Sequence, residues 1–195
     1  MYLVVGERRI ILVSSDLQEW KVALPGTTNT LHSAAFGDGS FVAVGDSGII
    51  LSSTNGVEWT SQNPTSGPEL RSVCFGNGQF AAVGAQGTIL TSSDGTSWTK
   101  QTSGTTKWLN GVTRRDGLFV AVGQGGTARS SPDGAFWSSQ DVGWSSEDLL
   151  AIVRSEHGEC TAVGPSGTIR GVVVWNSQLI WVNHDLAGRN RLEHQ

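Results

Sequence analysis

The stretch FVAVGDSGIILSSTNGVEW, residues 41–59, decides the fold, because the chain repeats it. FAAVGAQGTILTSSDGTSW follows at 80–98, FVAVGQGGTARSSPDGAFW at 119–137, and YLVVGERRIILVSSDLQEW precedes at 2–20. A fifth unit opens with CTAVG at 160–164. The starts, residues 2, 41, 80, 119 and 160, lie 39, 39, 39 and 41 residues apart. Trp20, Trp59, Trp98 and Trp137 each stand 18 residues after a start, and Trp181 takes that part in the fifth unit after a longer stretch, GVVVWNSQ. A period of this size marks a repeat architecture, in which neighbouring units cover each other's apolar faces.

Working outward, each unit predicts four short strands. Strand A is LHSAAF (31–36), ELRSVCF (69–75) or WLNGV (108–112). Strand B is the FVAVG segment, strand C is GIILSS or GTILTS, and strand D is VEWTSQ or TSWTKQ. The runs are rich in β-branched and aromatic residues and bounded by glycine turns, with no helical periodicity of useful length. Asp38-Gly39, Asn77-Gly78 and Asp116-Gly117 join A to B, and Asn55-Gly56, Asp94-Gly95 and Asp133-Gly134 join C to D. Such pairs accept the positive φ angles of type I′ hairpins. The first unit has Asp16-Leu17 instead, a less comfortable turn.

Four strands in about 40 residues predict a blade of a β-propeller. The fold expected is all-β and five-bladed, a single domain over residues 1–195. Phe or Tyr opening strand B and the repeated Trp on strand D are read as packing between blades. Because the chain begins at strand B, the first blade lacks strand A. The tail DLAGRNRLEHQ lines up with EDLLAIVRSEHG, Leu186 on Leu150 and Glu193-His194 on Glu156-His157. Residues 186–192 are therefore expected to pair with the first blade and close the ring, leaving a monomer without exposed edges. Arg189, where other copies have Ala34, Val73, Val112 and Val153, fits that strand poorly. A broken larger propeller, or a ring completed by association of two chains, are the other arrangements the repeat allows.

Composition excludes several functions. A net charge of -4 gives no basic footprint, so nucleic acid is not expected as partner. No run of 18 apolar residues occurs, so no membrane-spanning helix is expected. Cys74 and Cys160 fall at apolar repeat positions and are read as small buried hydrophobes. Met1 runs straight into an apolar segment of the fold without an export-signal pattern. The compartment stays open between cytoplasm and export with a signal removed.

The unit FVAVG-x-x-G-x-I-L-x-S-S-x-[DN]-G-x-x-W resembles the bacterial BNR or Asp-box-like propeller repeats. These occur in sialidase-like folds, in photosystem II assembly-factor-like proteins and in WD40/YVTN/BNR-like proteins. The carrying stretches are Ser53–Trp59, Ser92–Trp98 and Ser131–Trp137, each one residue shorter between Asp and the aromatic than the standard box. The resemblance implies that Asp94 and Asp133 are turn formers on the face away from any ligand. Five blades also look like tachylectin-type lectins, by blade count alone. Sialidases of this kind use an arginine triad and a tyrosine nucleophile. The single tyrosine here, Tyr2, occupies a packing position, so that activity is not expected.

No other catalytic or metal motif is present. His32, His157, His184 and His194 form no H-x-x-x-H pair and join no cysteine at ligand spacing, so neither metal nor cofactor is expected. In a propeller the D–A and B–C loops share one face, and these loops differ most between the copies, where function is expected. Trp108 and Trp144 lie in D–A loops of that face. The start of strand A varies as His32, Arg71, Asn110 and Ala151, and the B–C loops contribute Asp46, Gln86 and Gln124. Aromatics with convergent polar groups suit a ligand site. The expected function is a non-enzymatic binding module, first a protein-interaction or assembly scaffold. The alternative is a glycan-binding lectin using Trp144 and Trp108. Glycoside hydrolysis ranks third.

Overall fold

The computed structural model describes residues 1–7, 10–24, 26–62, 66–140, 147–154, 160–165, 168–175, 178–184 and 190–191, with backbone alone at residue 170 and beyond 171. Each repeat becomes one antiparallel sheet, its strands in chain order. Sheet 1 holds β1 (Tyr2–Val5), β2 (Ile11–Ser14) and β3 (Lys21–Ala23). Sheet 2 holds β4 (Leu31–Gly37), β5 (Ser40–Gly45), β6 (Ile50–Ser53) and β7 (Thr60–Ser61). Sheet 3 holds β8 (Leu70–Gly76), β9 (Gln79–Gly84), β10 (Ile89–Ser92) and β11 (Thr99–Gln101). Sheet 4 holds β12 (Leu109–Arg115), β13 (Leu118–Gly123), β14 (Ala128–Ser131) and β15 (Ser138–Ser139). Sheet 5 holds β16 (Ala151–Arg154), β17 (Cys160–Val163), β18 (Ile169–Trp175), β19 (Gln178–His184) and β20 (Asn190–Arg191).

Successive sheets stack face to face, and β4, β8, β12 and β16 pack on one another in turn, forming the inner row. The period-2 alternation of strand B sets what each face buries. Phe80 and Ala82 pack back on Val42 and Val44 of sheet 2, whereas Ala81 and Val83 pack forward on Phe119 and Ala121 of sheet 4. Val120 and Val122 in turn meet Cys160 and Ala162 of sheet 5. Both faces of sheets 2 to 4 are thus covered. Cys74 and Cys160 are free thiols at these apolar positions, and burial pushes the Cys74 thiol up to about 12.

Three details correct the sequence reading. First, the described part of the expected closing strand, Asn190–Arg191, pairs with β19 and makes sheet 5 five-stranded, while β1 pairs with β2 alone among the described residues. The edge nearest in the chain, left open by the long β18–β19 hairpin, takes the tail first. Second, the fifth unit is shifted by one residue. Leu149 is buried like Leu31, Leu70 and Leu109, and Ile152 pairs with Ala162 as Val112 pairs with Ala121. Leu150, not Ala151, therefore stands with His32, Arg71 and Asn110, and Ile152, not Val153, matches Val112. Third, Trp59, Trp98 and Trp137 pack against the clusters between sheets as expected but are only half-buried, and Trp20 is exposed. The buried aromatics among the described residues are Phe41, Phe80 and Phe119.

The A–B turns are the expected hairpins, with positive φ at both central residues, as at Asn77 (52°) and Gly78 (72°). In the C–D turns only the glycine goes left-handed, and the Asp or Asn side chain builds the loop instead. In sheet 3 the Asp94 carboxylate accepts the Thr96 and Ser97 N–H groups (2.7 and 2.8 Å) and the Ser92 hydroxyl (2.9 Å). Ser92 Oγ accepts the Gly95 N–H (2.9 Å), and the Trp98 indole donates to the Gly95 carbonyl (3.2 Å). Asp133 and Asn55 repeat the pattern. In sheet 1 Asp16 does so with Leu17 forced to a φ of 67°.

Backbone hydrogen bonds hold the Asp16, Asp94 and Asp133 carboxyls below the usual carboxylate range. A depressed folded pKa gives stability that is complete above the unfolded value, about 3.9, and lost as pH falls through the folded one. The melting temperature is therefore expected to fall steeply only below about pH 4. Asn55 shows that an amide serves the same loop, so the D16N/D94N/D133N triple variant should fold and show a flatter acid limb. An unchanged limb in that variant would contradict the assignment.

Candidate functional site

The rim at the strand-A starts is built by a short 3-10 turn after strand B of sheets 2, 3 and 4, namely Asp46–Gly48, Ala85–Gly87 and Gln124–Gly126. The first N–H of each turn donates to the residue just before strand A: Asp46 to the Thr30 carbonyl (3.0 Å), Ala85 to Glu69 (2.8 Å) and Gln124 to Trp108 (2.9 Å). This approach requires a residue without Cβ at Gly45, Gly84 and Gly123, where a Cβ would overlap those same carbonyls. Thr30, Glu69 and Trp108 are thus fixed in one row, with His32, Arg71 and Asn110 in the next.

Five of the residues expected from sequence meet here in one continuous network. His32 Nε2 lies 2.7 Å from Asp46 Oδ1 and 3.7 Å from Glu69 Oε1. Arg71 Nε donates to Glu69 Oε1 (3.0 Å), its Nη1 donates to Asn110 Oδ1 (3.1 Å), and its guanidinium lies 4.3 Å from the Trp108 ring centroid. Asn110 Nδ2 continues to the Leu149 carbonyl of the fifth unit (2.8 Å). The chain of contacts crosses sheets 2, 3, 4 and the entry to 5. Burial raises the Asp46 carboxyl, but hydrogen bonds from His32 and Thr30 outweigh it and hold the group below its ordinary value.

Gln86 and Gln124 sit beside this network rather than in it. Gln86 is exposed at the left-handed corner of its turn (φ 56°), and Gln124 is exposed with its carbonyl capped by the Thr127 hydroxyl (2.7 Å). Trp144 lies outside the described residues. Glu69, the central carboxylate, was not singled out from sequence. Reading the Trp108 position across the copies as Thr30, Glu69, Trp108 and Asp148 would have found it. Asp148 does belong to the rim, since its Oδ1 accepts the Gly125 N–H (2.8 Å).

His32, Asp46 and Glu69 offer ligand atoms within 4.8 Å of one another, a grouping that sequence spacing does not show. Each is already engaged, and the Arg71 guanidinium on Glu69 opposes a cation there. What the rim offers is a fixed array of donors and acceptors of both signs beside an indole.

No family model and no curated protein matches the sequence. Solved structures do. A structure titled YCF48 bound to D1 peptide superposes with a TM-score of 0.66 at 21% identity, over 92% of this chain and 61% of that one. YCF48 from Cyanidioschyzon merolae gives 0.67 at 16% identity, over 92% and 66%. The computationally designed Ika8 protein gives 0.64 at 13%, over 91% and 59%. This chain spans less than two thirds of each of these structures. The likeness establishes the fold as an all-β propeller of antiparallel sheets.

Proposed function

We propose that the chain is a five-bladed, non-enzymatic propeller module of the Asp-box-like kind, and that it binds a protein segment across the strand-A rim. The observation that carries this reading is the network from His32 through Asp46, Glu69, Arg71 and Trp108 to Asn110, which spans several sheets on the variable face. Its charged groups hold each other in place, so side chains are ordered before a partner arrives, which lowers the cost of binding. A peptide presents amide donors and acceptors of the kind this array would bond. The YCF48 structure that carries a bound peptide shares the fold, which supports the reading. The sugar-binding alternative is weakened at Trp108, because Arg71 covers one face of its ring.

Panning a displayed peptide library on the wild-type chain tests it. Selected peptides are expected to lose at least about tenfold in affinity, roughly 1.4 kcal/mol, on the R71A/W108A variant. Equal binding to both chains, or hits on a glycan array alone, would overturn the proposal.

A further inference from the structure

The internal copies provide a control for the two end faces of the arc. On the face toward the preceding sheet, Phe41, Phe80, Phe119 and Cys160 are at most 8% exposed, and Ala43, Ala82, Ala121 and Ala162 are fully buried. Their counterparts in sheet 1, Tyr2 and Val4, are 48% and 46% exposed. Val4 pairs with Leu12 and Leu12 with Val22, an apolar row across all three strands. Val22 is 63% exposed, yet it stands where covered sheets carry Ser61 and Lys100. A row facing only water would show the opposite bias.

The other end mirrors this. On the face toward the following sheet, Val44, Val83 and Val122 are fully buried, while Val163 of sheet 5 is 38% exposed. Val153, paired with Thr161 on that face, is 62% exposed. No extensive contact joins sheet 1 to sheet 5 among the described residues.

We infer that a second copy of this chain covers these faces, head to tail, with the Val153/Val163 face of one copy on the Tyr2/Val4/Val22 face of the next. The interface already exists within the chain between each successive pair of sheets, and the surface that every such leading face accepts is the trailing face of the same repeat. Each copy carries one unused example of both. An interface of this heterologous kind grows by addition unless its rotation closes.

The test is mass in solution. Light scattering of the wild-type chain should show mass rising with concentration above the 20.6 kDa monomer. V4E should block one face and V153E the other, so each variant alone should be monomeric. An equimolar mixture should form a species of twice the chain mass and stop there, because each variant brings a single intact face and the pairing uses both. Both positions are exposed, and unchanged melting of the variants would show that they fold. A wild-type chain that stays monomeric at every concentration, variants that still associate alone, or a mixture that stays monomeric would each overturn the inference.

Discussion

Phe80→Ala is expected to cost about 3–5 kcal/mol, the usual loss for a large buried aromatic. Phe80 is fully buried between sheets 2 and 3, with Phe75 at 4.7 Å and Trp98 at 6.3 Å between ring centroids. In a chain of this size that should lower the melting temperature by about 6–20 °C, measurable by circular dichroism. Trp98→Ala should cost less, about 2 kcal/mol, because the indole is half-buried and its hydrogen bond is local. Equal losses, or a larger one at Trp98, would show that the sheets are held from the hairpins rather than from the strand-B aromatics.

Gly84→Ala should be nearly as damaging, at about 3 kcal/mol, without removing any atom. Gly84 has ordinary extended backbone, so the harm is steric: the new methyl would overlap the Glu69 carbonyl and crowd Leu70 Cα. Backbone cannot swing aside as a long side chain does. The inner strand would be pushed off its 3-10 turn, and Glu69 and Arg71 would shift with it. Loss of stability should therefore come with loss of peptide binding. Gly6 supplies the comparison. It occupies the same place in its own repeat but has open space around it, so Gly6→Ala should be neutral. A neutral Gly84→Ala would remove the argument for how the rim is set.

The repeat made the strands, their order and the A–B turns legible, because each rests on local pattern. The rim residues His32, Arg71, Asn110, Asp46 and Trp108 were legible too, because the copies differ there and topology brings those positions to one face. Glu69 was missed because it stands two residues before the varying position of strand A, and shows itself only when Thr30, Glu69, Trp108 and Asp148 are compared across the copies. The C–D turns went wrong for a subtler reason. Asp-Gly fits a type I′ hairpin, yet the preceding serine and the carboxylate together offer the backbone a different loop. The end of the chain was the least legible, since pairing with β19 or with β1 differs only in which edge is nearer.

The alternation along strand B, with one pair of side chains facing backward and the next facing forward, also fixes how the molecule would come apart. Each sheet borrows its cover from two neighbours, and the outermost sheets borrow from one. Cooperativity therefore runs along a line, with the middle repeat the last to lose its protection and the ends the first to fray.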